Sequence, residues 1–269
     1  MNIIVIRNVV ELLCRRLSPD AQLFLVGFSM GANTLVKYLG EAGLSGGNLP
    51  KNVAGAVSLC NPMRIGRLQS PWSQILTFGA KKQMIRHRNS IDQMKCINYQ
   101  QAMKKALLHS PSMEDISSHT IPHMIRSSNQ YPFDNSIGYQ SNTEYWNDAS
   151  SQNYVSHVPV PLLVCFASDD KIAQSTIAAM NSCLSNPNVI LVKTSCGGHI
   201  GWHCSNRLNP FGSWNFKSSH DADKSWADRV TVNFVDAVIR GNHHAMASES
   251  RKEVARHTIE LTKQLQSRL

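Results

Sequence analysis

Four short apolar runs alternate with segments of helical period along the chain. Each run is apolar on both faces and is bounded by glycine, proline or asparagine, as expected for a buried strand of a parallel sheet. The runs cover residues 22–26, 53–59, 162–166 and 189–194. Helical spacing covers residues 9–17, a stretch from Ala32 that ends near Gly40 and Gly43, and residues 174–184 and 227–239. Strands that alternate with helices predict βαβ units and an α/β fold with a mainly parallel sheet and flanking helices.

Residues 62–158 have a different pattern. They are rich in Ser, Asn, Gln, His and basic side chains, with helix-like stretches over residues 72–84 and 91–108. This pattern predicts a helical insertion that lies over the strand ends, as a lid would. We therefore expect one α/β domain over residues 1–240 that contains this insertion, followed by a polar tail over residues 241–269.

The sharpest chemical signal is Gly27-Phe28-Ser29-Met30-Gly31, which lies between the first apolar run and an amphipathic helix. A G-x-S-x-G motif in that position predicts a tight strand-to-helix turn that exposes the serine hydroxyl above the sheet. We expect both glycines to leave room for the chain in this turn. Ser29 would then be a nucleophile at a helix N-terminus, where the backbone N–H of Met30 would stabilise an oxyanion.

A serine nucleophile needs a histidine to take its proton and an acid to orient that histidine. The sequence supplies both in the order that this kind of turn requires. The pair Asp169-Asp170 follows the third apolar run, and His199 follows the fourth run after Gly197-Gly198. Spacing alone does not separate Asp169 from Asp170, since either can cap the helix that begins near Gln174. All these groups fall at strand ends on one side of the sheet, where open α/β sheets bind ligands.

Other chemistries fit the sequence poorly. His199 and His203 are four residues apart, but no H-E-x-x-H glutamate accompanies them and the neighbouring glycines oppose a helix. Cys196, His199 and Cys204 make a zinc set only if the usual ligand spacings are ignored. Neither the G-x-x-x-x-G-K-[ST] nor the G-x-G-x-x-G nucleotide motif occurs. We therefore expect no metal and no cofactor.

Charge and composition add limits on location and partners. The formal net charge of +9 invites a nucleic-acid interpretation, yet no C2H2 spacing, RNP-like motif or continuous basic helix accompanies it. The 7 cysteines are scattered with no C-x-x-C pair, which favours a reducing compartment. No apolar run approaches the ~18 residues of a membrane span, and no signal-peptide pattern is found. The sequence predicts an intracellular protein, cytoplasmic or membrane-associated, with no nucleic-acid partner.

Several stretches together resemble the ABHD1/ABHD3-type hydrolases, with the plant Emb8-like and bacterial YheT-like proteins. The matching stretches are LVGFSMGAN (25–33), KYLGE (37–41), PLL (161–163), DDKI (169–172), GGHIGW (197–202) and WAD (226–228). The resemblance implies an α/β-hydrolase fold over residues 1–240 and makes Asp170 the triad acid beside Ser29 and His199. It also implies a serine esterase or lipase that hydrolyses short acyl esters, monoacylglycerols or phospholipids through an acyl-enzyme.

The sequence departs from the pattern of this family in two places. Lys171 replaces the proline that usually follows the aspartate pair, a change that we expect the site to tolerate. Such hydrolases also have several strands before the serine turn, and an H-G loop among them donates a second oxyanion N–H. No such loop precedes Ser29, so we expect the chain to lack the N-terminal part of a longer hydrolase. The alternative function is accordingly a catalytically impaired hydrolase scaffold that binds a lipid or a protein.

Basic side chains dominate the first half of the predicted lid. Over residues 61–110, Asp92 is the only acid, against these basic residues: Arg64, Arg67, Lys81, Lys82, Arg86, Arg88, Lys95, Lys104 and Lys105. A basic lid would contact anionic lipid head groups, each charge near the surface contributing ~1 kcal/mol. A solvated basic face is an equally good interpretation. We therefore expect an acyl-ester or lipid substrate, with peripheral membrane contact through the basic lid as a hypothesis.

Overall fold

The structure, a computed structural model, describes most of the chain. The described residues are 3–46, 49–66, 72–93, 97–109, 116, 120–121, 139, 141–174, 176–202 and 225–242. The predicted polar tail over residues 241–269 therefore lies almost entirely outside the described residues. The same holds for much of the predicted lid between residues 110 and 140.

The secondary structure follows the alternation that the sequence predicts. In chain order the elements are α1 (Ile4–Arg16), β1 (Leu23–Phe28), α2 (Met30–Leu44), β2 (Val53–Leu59), α3 (Trp72–Arg86), α4 (Arg88–Asp92), α5 (Ile97–His109), α6 (Asn142–Ala149), β3 (Leu162–Ala167), α7 (Ile177–Leu184), β4 (Val189–Thr194) and α8 (residues 226–242). Two short 3-10 turns, Ser151–Asn153 and Val155–His157, lie between α6 and β3. Strands β2 and β4 have the predicted bounds, and β3 extends one residue further. Strand β1 begins one residue later and ends two residues later than predicted.

The four strands form one parallel sheet in the order β1-β2-β3-β4. Each connection therefore crosses over the sheet, and the carboxyl ends of all four strands meet at one edge. Parallel strands are covered on both faces, which explains why their sequences are apolar at consecutive positions. The predicted α/β class with a mainly parallel sheet and flanking helices is confirmed.

Side chains from the strands enter two apolar cores, one on each face of the sheet. On one face Leu162, Val164 and Phe166 of β3 pack with buried residues of α1, α2 and α7. On the other face the alternate residues Leu163 and Cys165 pack with α8. Because both cores share β3, this strand is fully buried along its length, and it fixes the position of the loop that follows it.

Helix α2 ends at Leu44, one residue after Gly43, which is near the end that the sequence pattern predicts. Neither Gly40 nor Gly43 forms the helix end itself. These glycines are instead places of close backbone contact. A Cβ on Gly40 would lie 2.2 Å from the carbonyl oxygen of Tyr154, and one on Gly43 would lie 1.8 Å from that of His157. The end of the predicted lid segment therefore packs directly against the helix that follows the serine turn.

The rest of the predicted lid contributes α3, α4, α5 and α6. Exposed apolar side chains occur here, including Phe78 at 71% exposure and Leu108 at 78%. The assignment of residues 62–158 as a lid stays a prediction. Among the described residues, no helix has the length and apolar character needed to cross a membrane.

Candidate active site

Ser29 lies in the turn between β1 and α2, as the G-x-S-x-G motif predicts. Its backbone has φ 50° and ψ −123°, a conformation that costs energy for a residue with a side chain. The turn is anchored by the Ser29 N–H, which donates to the carbonyl of Leu59 at 2.9 Å. A Cβ on Gly27 would approach the Cα of Ala32 to 2.7 Å, whereas one on Gly31 would meet open space. Only the first glycine is therefore needed for room, which corrects the expectation that both are.

The two aspartates after β3 have different partners. Asp170 is 2% exposed, and its Oδ1 accepts hydrogen bonds from the backbone N–H groups of Ile172 and Ala173, each at 2.8 Å. Its other oxygen, Oδ2, lies 2.9 Å from Nδ1 of His199. Asp169 is exposed, and its Oδ1 accepts from the N–H of Gly198 at 2.8 Å. This hydrogen bond from Gly198 lowers the pKa of Asp169. Only Asp170 therefore contacts the histidine.

His199 connects the serine to the buried aspartate. Its Nε2 lies 2.9 Å from Oγ of Ser29, and 18% of its side chain is exposed. An ionised carboxylate only accepts hydrogen bonds, so Nδ1 carries the proton that is shared with Asp170. Nε2 is then the acceptor for the Ser29 hydroxyl. This tautomer is the one that a general base needs.

The loop that carries His199 has a strained backbone. Gly198, Ile200 and Trp202 have φ values of 58°, 66° and 41°, and for a β-branched residue such as Ile200 this region is unusual. The Trp202 indole donates to Oγ1 of Thr194 at 2.8 Å, and a Cβ on Gly197 would lie 2.3 Å from that indole nitrogen. The glycine pair therefore allows the loop to fold back onto β4 while presenting the imidazole to Ser29.

Met30 is the first residue of α2, so its backbone N–H belongs to the helix N-terminus beside Ser29. The first N–H groups of a helix have no partner within the helix, and the helix dipole favours negative charge there. The position fits the oxyanion donor that the sequence predicts. That role stays a prediction.

Cys60 is a site residue that sequence reasoning missed. It follows β2 directly, is fully buried, and has φ 49°. Its sulfur accepts a hydrogen bond at 3.1 Å from the N–H of Ile200, the residue after His199. Burial raises the pKa of the Cys60 thiol to about 12. The sequence does not indicate this contact between Cys60 and Ile200, because the two residues are 140 positions apart.

A buried ion cluster fixes α2. Two of its members, Lys37 and Glu41, belong to the KYLGE stretch of the family resemblance, which gave them no role. Lys37 is fully buried, and its Nζ lies 2.7 Å from Oε1 of Glu41 and 3.0 Å from Oδ1 of Asp148. It also donates to the hydroxyl of Tyr154 at 2.9 Å. Tyr139 donates to the second oxygen of Asp148. The cluster ties the helix behind Ser29 to the end of the predicted lid segment.

Potential metal ligands come together once in the part of the chain that the structure describes. The group consists of Cys60, Asp170 and His199, whose ligand atoms all lie within 4.8 Å of one another. On sequence grounds, His203 and Cys204 were considered as metal ligands and rejected. Both residues lie outside the described residues.

The parallel sheet, the strained serine turn and the hydrogen-bonded Ser29, His199 and Asp170 define the class of protein as an α/β-hydrolase fold. The chain is 30% identical over 225 residues to the embryogenesis-associated protein EMB8 of Picea glauca, and 27% identical over 251 residues to the monoacylglycerol lipase ABHD2 of Danio rerio. It belongs to the family of ABHD1/ABHD3-type, Emb8-like α/β-hydrolases.

The aligned regions cover 81% and 89% of this chain but 43% and 53% of those two relatives. The chain thus spans about half the length of the curated relatives it matches. No family model matches the chain. Among solved structures, a monoacylglycerol lipase of Paleococcus ferrophilus is 10% identical, with a TM-score of 0.38 and 74% of this chain and 67% of that chain covered. A similarity of this size adds nothing to the assignment.

Proposed function

We propose that this chain is a serine hydrolase that cleaves carboxylic esters of acyl lipids through an acyl-enzyme on Ser29. Short acyl esters, monoacylglycerols and phospholipids are the substrate classes. The observation that carries the proposal is the unbroken chain of hydrogen bonds from Oγ of Ser29 through His199 to the buried Asp170. The monoacylglycerol lipases among the relatives support an acyl-lipid substrate.

Acylation begins when Nε2 of His199 takes the hydroxyl proton of Ser29 and Oγ attacks the ester carbonyl carbon. The imidazolium that forms is stabilised by the Asp170 carboxylate, which remains ionised. The carbonyl oxygen becomes an oxyanion and accepts from the N–H of Met30 at the start of α2. The tetrahedral intermediate then collapses, and His199 gives its proton to the departing alcohol.

Deacylation repeats these steps with water as the nucleophile. His199 takes a proton from the water as it attacks the acyl carbon, and then returns that proton to Oγ of Ser29. The free carboxylic acid leaves, and the hydrogen-bond chain is restored. The buried position of Asp170 and the two backbone N–H groups on its Oδ1 keep its second oxygen directed at Nδ1 throughout.

Labelling by a fluorophosphonate probe tests this proposal, because the probe reacts with activated serines and requires no knowledge of the substrate. We expect the purified chain to be labelled and Ser29→Ala to be unlabelled. Ser168→Ala is a matched control, since Ser168 is an exposed serine beside the acid loop whose hydroxyl donates to the carbonyl of Thr194 instead. Removal of a serine nucleophile of this kind lowers kcat by about 10⁶.

A folded chain that is not labelled would contradict the proposal. It would favour the alternative of an impaired hydrolase scaffold that binds a lipid or a protein. Labelling that persists in Ser29→Ala would assign the reactive serine elsewhere and would also contradict it.

We also propose that the basic lid contacts anionic lipid surfaces and so brings the site to its substrate. Lys82, Arg86 and Lys105 are exposed, and so are the apolar side chains of Phe78, Ile85 and Leu108. Cationic and apolar side chains together favour binding at a membrane interface.

A further inference from the structure

Cys60 places a third kind of ligand atom beside the hydrogen-bonded pair of His199 and Asp170. The thiol comes from the end of β2, the carboxylate from the loop after β3, and the imidazole from the loop after β4. The three ligand atoms lie within 4.8 Å of one another. Thiolate, imidazole and carboxylate are the three side-chain ligands that zinc uses in proteins.

We propose that Cys60, Asp170 and His199 bind a zinc ion, and that the bound ion inactivates the hydrolase site. The inactivation rests on the proposed function, whereas the binding does not. A water molecule would complete four-coordination.

The three side chains, whose ligand atoms now lie within 4.8 Å of one another, must rearrange to bind zinc. Typical zinc bonds of about 2.0 Å to nitrogen and oxygen and 2.3 Å to sulfur place tetrahedral ligand atoms roughly 3.3–3.6 Å apart. Nδ1 of His199 and Oδ2 of Asp170 are now 2.9 Å apart, so they must separate by roughly 0.4 Å. Asp170 is held by two backbone N–H groups on its other oxygen. The backbone N–H of Cys60 is bound to the carbonyl of Cys165 at 3.1 Å. His199, on its glycine-containing loop, is the ligand that moves.

The charges of the site also fit one divalent cation. A zinc ion with one thiolate, one carboxylate and one neutral imidazole has no net charge. A neutral unit avoids the large cost of an unpaired charge in a buried position, and both Cys60 and Asp170 are buried. Burial keeps the thiol protonated in the free protein, but the charge of a coordinated metal deprotonates a thiol outright. One proton is therefore released when zinc binds.

Zinc at this position prevents His199 from acting as a base, because it changes which imidazole nitrogen carries the proton. In the active arrangement Nδ1 carries the imidazole proton and Nε2 accepts from Ser29. A metal on Nδ1 forces the proton of the neutral ring onto Nε2. Nε2 then cannot take the hydroxyl proton of Ser29, so the serine is no longer activated. The imidazole is 18% exposed, whereas the Asp170 side chain is fully buried, so the ion enters from the side of His199.

Binding is tested on the Ser29→Ala background, which requires no enzyme activity. Calorimetric titration with Zn²⁺ should give one site per chain. Cys60→Ser should weaken zinc binding at least about tenfold, since replacing even a residue that only contacts the metal ligands weakens metal binding 10–100-fold. Serine keeps a hydrogen-bond acceptor for Ile200 but is a poor zinc ligand. Cys196→Ser, which changes an exposed cysteine in the same loop region, should bind zinc as the parent does. Co²⁺ in place of Zn²⁺ should give a thiolate charge-transfer band that Cys60→Ser lacks.

Ser29 labelling gives the functional readout. Zn²⁺ should slow fluorophosphonate labelling of the unmodified chain, a chelator should restore the rate, and folded Cys60→Ser should be insensitive to Zn²⁺. Equal zinc affinity in Cys60→Ser, or no site on titration, would overturn the proposed site. Zinc that binds through Cys60 without slowing labelling would overturn the inactivation. A chain that is unlabelled even without zinc would instead count against the hydrolase function, and the titration would still decide the metal site.

Discussion

At the scale of single residues, Asp169 and Asp170 are adjacent in sequence but have different contacts. The carboxylate of Asp170 faces His199, whereas that of Asp169 accepts from the backbone of Gly198, next to His199. Asp170 therefore orients the imidazole directly, and Asp169 fixes the loop that carries it.

This difference predicts unequal effects of the same substitution. Asp170→Asn should lower kcat by about 10⁴, since an amide favours the wrong tautomer of the histidine. Asp169→Asn keeps an acceptor oxygen for Gly198 and should lower kcat less than about tenfold, which means that the activation free energy rises by less than ~1.4 kcal/mol. Hydrolysis of a chromogenic acyl ester measures both. A larger loss in Asp169→Asn than in Asp170→Asn would contradict the assignment of the acid.

Local motifs mark Ser29 and His199 in the sequence, and the structure brings Nε2 of His199 to 2.9 Å from Oγ of Ser29. Their catalytic roles stay a prediction. Sequence reasoning could not choose between Asp169 and Asp170 from spacing, because the choice depends on which carboxylate faces a loop 29 residues away. Cys60 gave no signal at all, since its contact with Ile200 forms only when the ends of β2 and β4 meet at the sheet edge.

At the scale of elements, the cluster around Lys37 joins α2 to α6 through two carboxylates, Glu41 and Asp148, whose pKa values shift in opposite directions. Burial raises the pKa of Glu41. Burial also acts to raise the pKa of Asp148, but the hydrogen bond from Tyr139 and the charge of Lys37 outweigh it, so that this pKa is lowered. The stabilisation from Glu41 is thus present below its unfolded pKa of about 4.3 and is lost as the pH rises through the folded pKa. That from Asp148 is present above about 3.9 and is lost as the pH falls through the folded pKa.

At neutral pH, Asp148→Asn should therefore destabilise the chain by about 3–5 kcal/mol, as expected when one partner of a buried ion pair is removed. Glu41→Gln should cost clearly less. Urea unfolding at pH 7 and near pH 4 measures both, and the gap between the variants should narrow at the lower pH. Glu11→Gln, in the exposed Glu11–Arg15 pair, is the control and should change stability by less than about 1 kcal/mol. Equal costs for Asp148→Asn and Glu41→Gln at pH 7 would refute this account.

The packing of α2 against the 3-10 turns was not predictable from sequence. It shows that Gly40 and Gly43 are needed for close backbone contact. Gly40 and Gly43 fit the pattern of a helix end, but their packing partners Tyr154 and His157 are more than 110 residues away in the sequence. The strands were easier to predict, because burial on both faces leaves a continuous apolar run in the local sequence.

Gly43→Ala should consequently destabilise the fold by about 1–3 kcal/mol or more, because the added Cβ meets the backbone of His157 and cannot be accommodated by a side-chain rotation. Gly79→Ala in α3 is the matched control. A Cβ there meets open space, so the helix should gain up to about 1 kcal/mol. The midpoints of urea unfolding give both values. A neutral Gly43→Ala would show that the turn moves away from α2 freely.

At the scale of the whole molecule, the proposed hydrolase site and the predicted basic lid are on separate parts of the chain, and the proposals for both concern lipids. The carboxyl ends of the strands hold Ser29, His199 and Asp170, while α3 and α5 present basic and apolar side chains to solvent. Lys51 offers a contrast, because it is exposed in the loop before β2, at the opposite edge of the sheet. A charge that matters for a lipid surface should therefore matter on α3 and not at Lys51.

The double variant Lys82→Gln/Arg86→Gln should accordingly weaken binding to anionic vesicles by about 2 kcal/mol, roughly 30-fold, at ~1 kcal/mol for each charge. Co-sedimentation with phosphatidylserine-containing and purely zwitterionic vesicles measures the partition, and raised salt should weaken the binding as it screens the charges. Lys51→Gln should leave it unchanged. Binding that does not depend on anionic lipid content would leave the exposed Phe78, Ile85 and Leu108 as the source of any membrane affinity, and the basic residues of the lid would then be a solvated face.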